Sequence, residues 1–137
     1  MSLDVFVEAY HDGAPAGVSR EAARSAFRGF ATEKDMTCWR VRYDEANFCD
    51  LLLSVDLDDP TKISGFLISG PCADERLWEA LVSVLKLGAV VLHFEGRAAF
   101  VGSTDAIPHL PKEMIEVLGE PRVVSAGSEI TDAIEEI

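Results

Sequence analysis

Alternation of apolar and polar residues along the chain predicts its β-strands. Residues 3–10 alternate in this way, and so do residues 38–43 and 49–55, while residues 63–69 form a further apolar segment after a short polar loop. Short connections favour antiparallel pairing of sequential strands. The pattern therefore predicts a three-stranded meander in the middle of the chain, preceded by a separate first strand.

Helical spacing of apolar residues predicts the helices. Ser19 is the expected N-cap of the first helix and Gly29 its end, because hydroxyl oxygens cap helix starts and glycine adopts the left-handed conformation at helix ends. The broadest apolar face lies on residues 74–87, and a shorter helix is expected at 112–118. Ser128 is expected to cap a last, acidic helix.

The second half of the chain adds further strands to the pattern. Residues 89–94 and 98–101 are expected to pair as a hairpin through a turn at residues 95–97, and residues 122–125 form a last short strand. Consecutive strands favour an α+β fold over a doubly wound parallel one. We predict a mainly antiparallel sheet with about four packing helices, formed by residues 1–137 as a single domain, since no linker divides them.

The same elements predict the hydrophobic core. The chain has 137 residues, 48% of them hydrophobic, which suffices for one core without metals or disulfides. The expected core residues are Trp39, Val41, Leu51, Leu53, Leu77, Trp78, Leu81, Leu85 and Leu92.

Charge is divided unevenly along the chain. Residues 1–42 contain six basic and six acidic residues, whereas residues 43–137 contain six basic and eighteen acidic ones and carry the whole net charge of -12. Neutralisation of phosphates supplies most nucleic-acid affinity, so we expect no nucleic-acid partner. An acidic surface instead attracts and steers a basic protein partner. Acidic residues also keep proteins soluble, and that alternative stays open.

The sequence carries no sign of membrane insertion or export. No stretch approaches the roughly 20 apolar residues that span a bilayer, and the first residues lack the basic and apolar regions of a signal peptide. The three cysteines, Cys38, Cys49 and Cys72, show no Cys-x-x-Cys spacing, which fits a reducing compartment better than a disulfide framework or a zinc site. We therefore expect a cytoplasmic protein with no membrane partner.

Cys72 is the leading catalytic candidate. It precedes the strongest predicted helix, whose N-terminal N–H groups and dipole lower the pKa of a nearby thiol. A nucleophilic cysteine also needs a base, and His93 or His109 can serve only if folding brings one within hydrogen-bond distance. Asp74 and Glu75 oppose thiolate formation. The alternative is a partly buried structural cysteine, since such cysteines are usually inert.

Other catalytic signatures are incomplete. His93 and Glu95 share a strand face and can form an acid–base pair, but no nucleophile accompanies them, and an exposed hairpin face explains them better. The glycines form no phosphate-binding or dinucleotide-binding motif. The sequence therefore predicts no cofactor and favours a protein that is not an enzyme. A cysteine-dependent hydrolase or transferase using Cys72 is the alternative.

A basic row is predicted on the first helix. Arg20, Arg24 and Arg28 recur at intervals of four, which places their side chains side by side. Guanidinium groups bind phosphates and carboxylates, so the row is a candidate site for a small anionic ligand. An exposed helix face that pairs with Glu21 and the acidic remainder of the chain is the alternative.

Three aspartates, Asp56, Asp58 and Asp59, share one loop of the predicted meander. Carboxylate oxygens bind calcium, but Pro60 occupies a ligand position of the EF-hand pattern, and its turn glycine and closing glutamate are missing. We predict no metal site here. The three aspartates are instead assigned to the acidic surface that contacts a basic partner.

Two segments carry a resemblance to known proteins. Residues 71–78 (PCADERLW) and 110–114 (LPKEM) resemble uncharacterised bacterial proteins without an assigned activity. The small size, acidity and lack of a catalytic motif are also similar to those of immunity proteins, which neutralise bacterial toxins by direct binding. The resemblance supplies no site residues. It implies a bacterial, non-enzymatic protein-binding module of the immunity or inhibitor type, and this is the predicted function.

Overall fold

The computed structural model describes residues 3–94 and 98–135. The strands in these residues are β1 (Asp4–His11), β2 (Ala14–Pro15), β3 (Val18–Ser19), β4 (Ala31–Asp35), β5 (Cys38–Arg42), β6 (Phe48–Val55), β7 (Lys62–Ser69), β8 (Val90–Phe94), β9 (Ala99–Val101) and β10 (Arg122–Val123). The helices are α1 (Arg20–Ser25), α2 (Glu75–Leu85), α3 (Lys112–Leu118) and α4 (Gly127–Glu135), with a 3-10 helix at Thr104–His109. This composition confirms the predicted α+β class.

The sheet follows the order β10-β9-β8-β1-β7-β6-β5-β4, with β2 beside β1 and β3 beside β7. All described pairs are antiparallel except β10 with β9. The predicted meander is confirmed as β5, β6 and β7, and the register pairs Leu51 with Ile68. β8 and β9 also pair as expected, while the turn predicted at 95–97 lies outside the described residues.

Helices α1, α2 and α4 contribute to one core on one face of the sheet. On α2, Leu77, Leu81 and Leu85 are fully buried, because their helical spacing directs them all toward the strands. All nine predicted core residues are at most 8% exposed. A second cluster on the other side of β8 and β9 joins Val91 and Val101 to the 3-10 helix and α3. No helix of the described residues is long and apolar enough to cross a membrane.

Two predicted helix ends are wrong. α1 ends at Ser25 rather than near Gly29, because the N–H groups of residues 27 and 28 bond three residues back instead of four. Gly29 does have the expected left-handed conformation, with a φ of 85°, and Arg28 before it also has a positive φ, of 53°. The N-cap prediction of Ser19 is confirmed, since its hydroxyl accepts a hydrogen bond from the Ala22 N–H. The predicted N-cap of the last helix is wrong, because Ser128 lies inside α4 and does not cap it.

The start of α4 is fixed by neighbouring acidic side chains. The Glu129 carboxylate accepts hydrogen bonds from the N–H groups of Ser125 and Ala126, at 3.0 and 3.1 Å. Glu79 on α2 accepts the N–H of Gly127 at 2.7 Å. A Cβ at Gly127 would lie 2.8 Å from the Trp78 carbonyl carbon, so only glycine allows α4 to approach α2 this closely.

Candidate functional site

The loop between β6 and β7 is built by its own aspartates. The Asp56 carboxylate accepts the Asp58 N–H at 2.9 Å. The Asp59 carboxylate accepts the Thr61 N–H at 3.1 Å, as well as the Thr61 hydroxyl. Aspartates commonly form turns in this way, by bonding to backbone N–H groups two residues later. Asp56 and Asp59 therefore hold the loop in shape while adding their charge to it.

The end of this loop combines apolar and acidic side chains. Leu57 is 96% exposed, more than any other large hydrophobic residue that the structure describes. Next to it, the Asp58 carboxylate makes no hydrogen bond or ion pair with the described residues. We call Asp56, Leu57, Asp58 and Asp59 the acidic tip. It presents an uncovered leucine surrounded by negative charge, on a loop with a fixed backbone.

Cys72 lies in the connection between β7 and α2, beside a second cysteine. Its Sγ is 3.9 Å from the Sγ of Cys49, which lies on β6 and is 5% exposed. Cys72 is half-buried and borders a cavity of about 540 Å3, whose apolar wall includes Leu3, Trp78 and Ile134. The chain therefore brings two thiols within contact distance at the edge of an open cavity.

The two thiols are electrostatically unlike. The pKa of Cys72 is lowered to about 7, chiefly because the Cys49 thiol donates a hydrogen bond to it, with a further contribution from the Asp74 N–H. Burial and the Asp74 carboxylate act in the opposite direction on this pKa. The pKa of Cys49 is raised by its hydrogen bond to Cys72 and by burial. Cys72 is thus the thiol that ionises, with Cys49 as its donor.

An arginine fixes the start of α2 next to these thiols. Arg76 donates from Nε and Nη2 to the two oxygens of Asp74, at 2.9 and 2.8 Å. Its guanidinium lies 4.7 Å from the ring centre of Tyr43 and 5.1 Å from that of Phe30. This pairing lowers the pKa of Asp74 to about 2. The Tyr43 hydroxyl is buried and has no hydrogen-bond partner among the described residues. Burial is the main cause of its raised pKa, and the two thiols raise it further.

The structure places the candidate bases away from Cys72. His93 Nε2 lies 3.2 Å from a Glu8 carboxylate oxygen, which also accepts the Tyr10 hydroxyl at 2.8 Å. His109 stacks on another histidine and accepts a backbone N–H at Nδ1. No imidazole in the described part of the chain is hydrogen-bonded to Cys72. The pairing of His93 with Glu95 lies outside the described residues, and Glu8 is the carboxylate that His93 contacts.

A histidine cluster closes the loop after β1. His11, Asp12 and His109 place possible ligand atoms within 4.8 Å of one another. The two imidazole rings are stacked, with centres 5.0 Å apart and an interplanar angle of 18°. Imidazole lone pairs lie in the ring plane, so near-parallel stacked rings do not direct them at one ion. His109 Nδ1 also accepts the Asp12 N–H at 3.1 Å, which already uses that lone pair.

The predicted row of arginines is not formed on one helix. Arg20 forms an ion pair with Glu33 and lies over the Trp39 ring, and Arg24 Nε donates to the Ala31 carbonyl at 3.2 Å. Arg28 lies beyond the end of α1 with a positive φ, so it does not continue the helical spacing. Arg20 and Arg24 instead hold α1 against β4 and β5.

The proximity of the two cysteines was missed from the sequence. Cys49 and Cys72 are 23 positions apart, which matches no short cysteine motif. The predicted pairing of residues 49–55 with residues 63–69 nevertheless indicates that they lie close together. Because Leu51 pairs with Ile68, a hairpin extended by two residues brings position 49 opposite position 70, next to Cys72. The pairing of these two predicted strands therefore places the two thiols close together.

Comparison with protein-family models, with curated proteins and with solved structures finds no match to this chain.

Proposed function

We propose that this protein is a non-enzymatic binding module of the immunity or inhibitor type, which contacts a basic protein partner through its acidic tip. The observation that carries the proposal is the 96% exposure of Leu57 between Asp56, Asp58 and Asp59. Covering an exposed apolar side chain with a partner lowers the free energy of the complex. At about 25 cal/mol per Å2 of apolar surface, covering a leucine contributes roughly 1.5–3 kcal/mol.

The charge distribution indicates the chemistry of the partner. Residues 43–137, which include the acidic tip, contain eighteen acidic and six basic residues. Such a field attracts a basic surface and speeds its encounter, while like-charged proteins are repelled. A basic partner with an apolar pocket fits both features of the tip.

The shape of the loop favours binding without a large ordering cost. The carboxylates of Asp56 and Asp59 already bond to the backbone of the loop, so its conformation is set before a partner arrives. A preorganised loop loses less conformational entropy on association than a mobile one. Asp58 contributes its charge without such a bond within the described residues. It therefore allows charge to be tested separately from loop structure.

The proposal is tested by photo-crosslinking in the native host. A diazirine amino acid replaces Leu57 in one strain and Val117 in a control strain. Val117 is an exposed apolar residue on α3, 72% exposed, and lies outside the acidic tip. We expect a discrete adduct from position 57 to a protein with a basic surface, lost when the salt concentration is raised before illumination. Absence of an adduct, an equal adduct at position 117, or attachment to an acidic surface contradicts the proposal.

A further inference from the structure

We propose that Cys49 and Cys72 form a redox-active dithiol, in which Cys72 is oxidised once per chain by a small neutral hydroperoxide and Cys49 resolves the product as an intramolecular disulfide. This inference does not depend on the proposed binding function. It rests on two thiols whose sulfur atoms lie 3.9 Å apart and on the open cavity beside one of them.

The geometry allows the two sulfurs to bond. A disulfide bond is about 2.05 Å long, so the sulfurs need to approach each other by roughly 2 Å. Cys49 is held on β6, whereas Cys72 lies in the short connection between β7 and α2, outside helix and strand. Side-chain rotation with a small shift of this connection brings Cys72 to Cys49. The other cysteine, Cys38, lies on β5 and is 8% exposed.

Access and charge assign different roles to the two thiols. Cys72 borders the cavity, while Cys49 is buried behind it, so an oxidant meets Cys72 first. The lowered pKa of Cys72 supports this order, since the thiolate is the nucleophile. The main cause of the raised pKa of Cys49 is its hydrogen bond to the Cys72 thiolate. This cause is removed when Cys72 becomes a sulfenic acid, so Cys49 can then lose its proton and attack.

The groups that face Cys72 select a neutral oxidant. The carboxylate of Asp74 lies at the start of α2 and pairs with Arg76, while Glu75 and Glu135 line the cavity. The phenol of Tyr43 faces the thiols with a raised pKa and stays uncharged near neutral pH. Anionic oxidants such as glutathione disulfide are repelled by these carboxylates. A hydroperoxide is uncharged, and the apolar wall formed with Trp78 also accepts an alkyl group.

The reaction has two balanced steps. The Cys72 thiolate attacks the terminal oxygen of the hydroperoxide ROOH, the O–O bond breaks, and with one proton the products are Cys72 sulfenic acid and the alcohol ROH. The Cys49 sulfur then attacks the Cys72 sulfur, the S–OH bond breaks, and the thiol proton leaves with hydroxide as water. The protein loses two electrons and the hydroperoxide gains them. An added dithiol reductant reverses the oxidation.

The test measures thiols and disulfides in the purified, reduced full chain treated with hydrogen peroxide or with cumene hydroperoxide. We expect two of the three thiols to be lost, a disulfide-linked peptide pair containing Cys49 and Cys72, and full recovery with dithiothreitol. Cys72→Ser should abolish the loss, and Cys38→Ser, the matched control, should leave it unchanged. In Cys49→Ser, the sulfenic acid of Cys72 should accumulate and be trapped by dimedone.

The following outcomes are measured in the wild-type chain and do not require a variant that folds. Loss of all three thiols at one common rate, disulfides that involve Cys38, or linkage only between chains would overturn the proposal. A Cys49–Cys72 disulfide that forms with glutathione disulfide at least as fast as with hydroperoxide would overturn the assigned substrate class. If the folded chain keeps all three thiols at peroxide concentrations that oxidise the urea-unfolded chain, the two cysteines do not form a redox-active dithiol.

Discussion

The Sγ atom of Cys49 on β6 lies 3.9 Å from the Sγ atom of Cys72 before α2, and the hydrogen bond that Cys49 donates when Cys72 is ionised is the main cause of the lowered pKa of Cys72. The contact joins a buried donor to an accessible acceptor, so it stabilises the thiolate at Cys72. The same arrangement holds the proton on Cys49.

Removing this donor should therefore raise the pKa of Cys72. In Cys49→Val, the Cys72 thiolate loses the hydrogen bond that lowers its pKa most. The pH midpoint of iodoacetamide labelling should then move from about 7 toward the ordinary pKa of a thiol. Labelling is followed by mass spectrometry of the peptide that contains Cys72. Cys38→Val serves as the control and should leave the midpoint unchanged. An unchanged midpoint in Cys49→Val would show that the thiol contact does not control this pKa.

The pair of Asp74 and Arg76 predicts a pH dependence of stability. The pKa of Asp74 is lowered from 3.8 to about 2 in the folded protein, so its ionised form favours folding. The contribution is complete above about pH 5, where the carboxyl is ionised in both states, and is lost as pH falls through about 2. The difference in unfolding free energy between the wild type and Asp74→Asn, measured with urea, should shrink over that interval. A difference that stays constant from pH 5 to pH 2 would refute this role of the carboxylate.

Leu81 tests the core. It is fully buried on α2, and truncation to alanine removes apolar contacts that the rigid surroundings cannot replace. Leu81→Ala should lower the unfolding free energy by about 2–5 kcal/mol in urea denaturation. Val117→Ala, at an exposed position of α3, is the control and should change it by less than about 0.5 kcal/mol. A small effect at Leu81 would mean that α2 does not pack as described.

Gly127 tests the contact between α4 and α2. A Cβ at this position would lie 2.8 Å from backbone atoms of Trp78 and Glu79, so Gly127→Ala forces the helices apart. We expect a loss of about 1–3 kcal/mol in thermal or urea unfolding. Gly88→Ala is the matched control, because a Cβ there meets no atom of residues 3–94 or 98–135 within 4 Å. Equal tolerance of both substitutions would contradict the close approach of the two helices.

Much of the fold could be predicted from the sequence because its signals are local. The alternation around Trp39 and Leu51 defines strands with one buried face, and the spacing of Leu77 and Leu81 defines α2. β4 was not predicted, because Ala31 is its only buried residue and the strand shows no alternation of apolar and polar residues. An edge strand of this kind forms by pairing with β5 rather than by burying side chains.

The candidate sites depended more on geometry than on pattern. The contact between Cys49 and Cys72 requires the register of the β6–β7 hairpin and the direction of the following connection. The exposure of Leu57 follows from turn bonds made by neighbouring aspartates, which composition does not specify. α1 ends at Ser25 in a tighter turn that leads into two left-handed residues, Arg28 and Gly29, and only the glycine indicates this conformation in the sequence.

The binding proposal is tested most directly by the association rate with the partner captured through position 57. Stopped-flow measurements compare the wild type with Asp58→Asn and with Glu116→Gln, which removes the same charge from an exposed position on α3. We predict that the association rate falls as ionic strength rises past about 0.15 M, where the screening length is about 8 Å. We also predict a slower rate for Asp58→Asn than for Glu116→Gln. A rate that is indifferent to salt, and equal in the two variants, would contradict docking through the acidic tip.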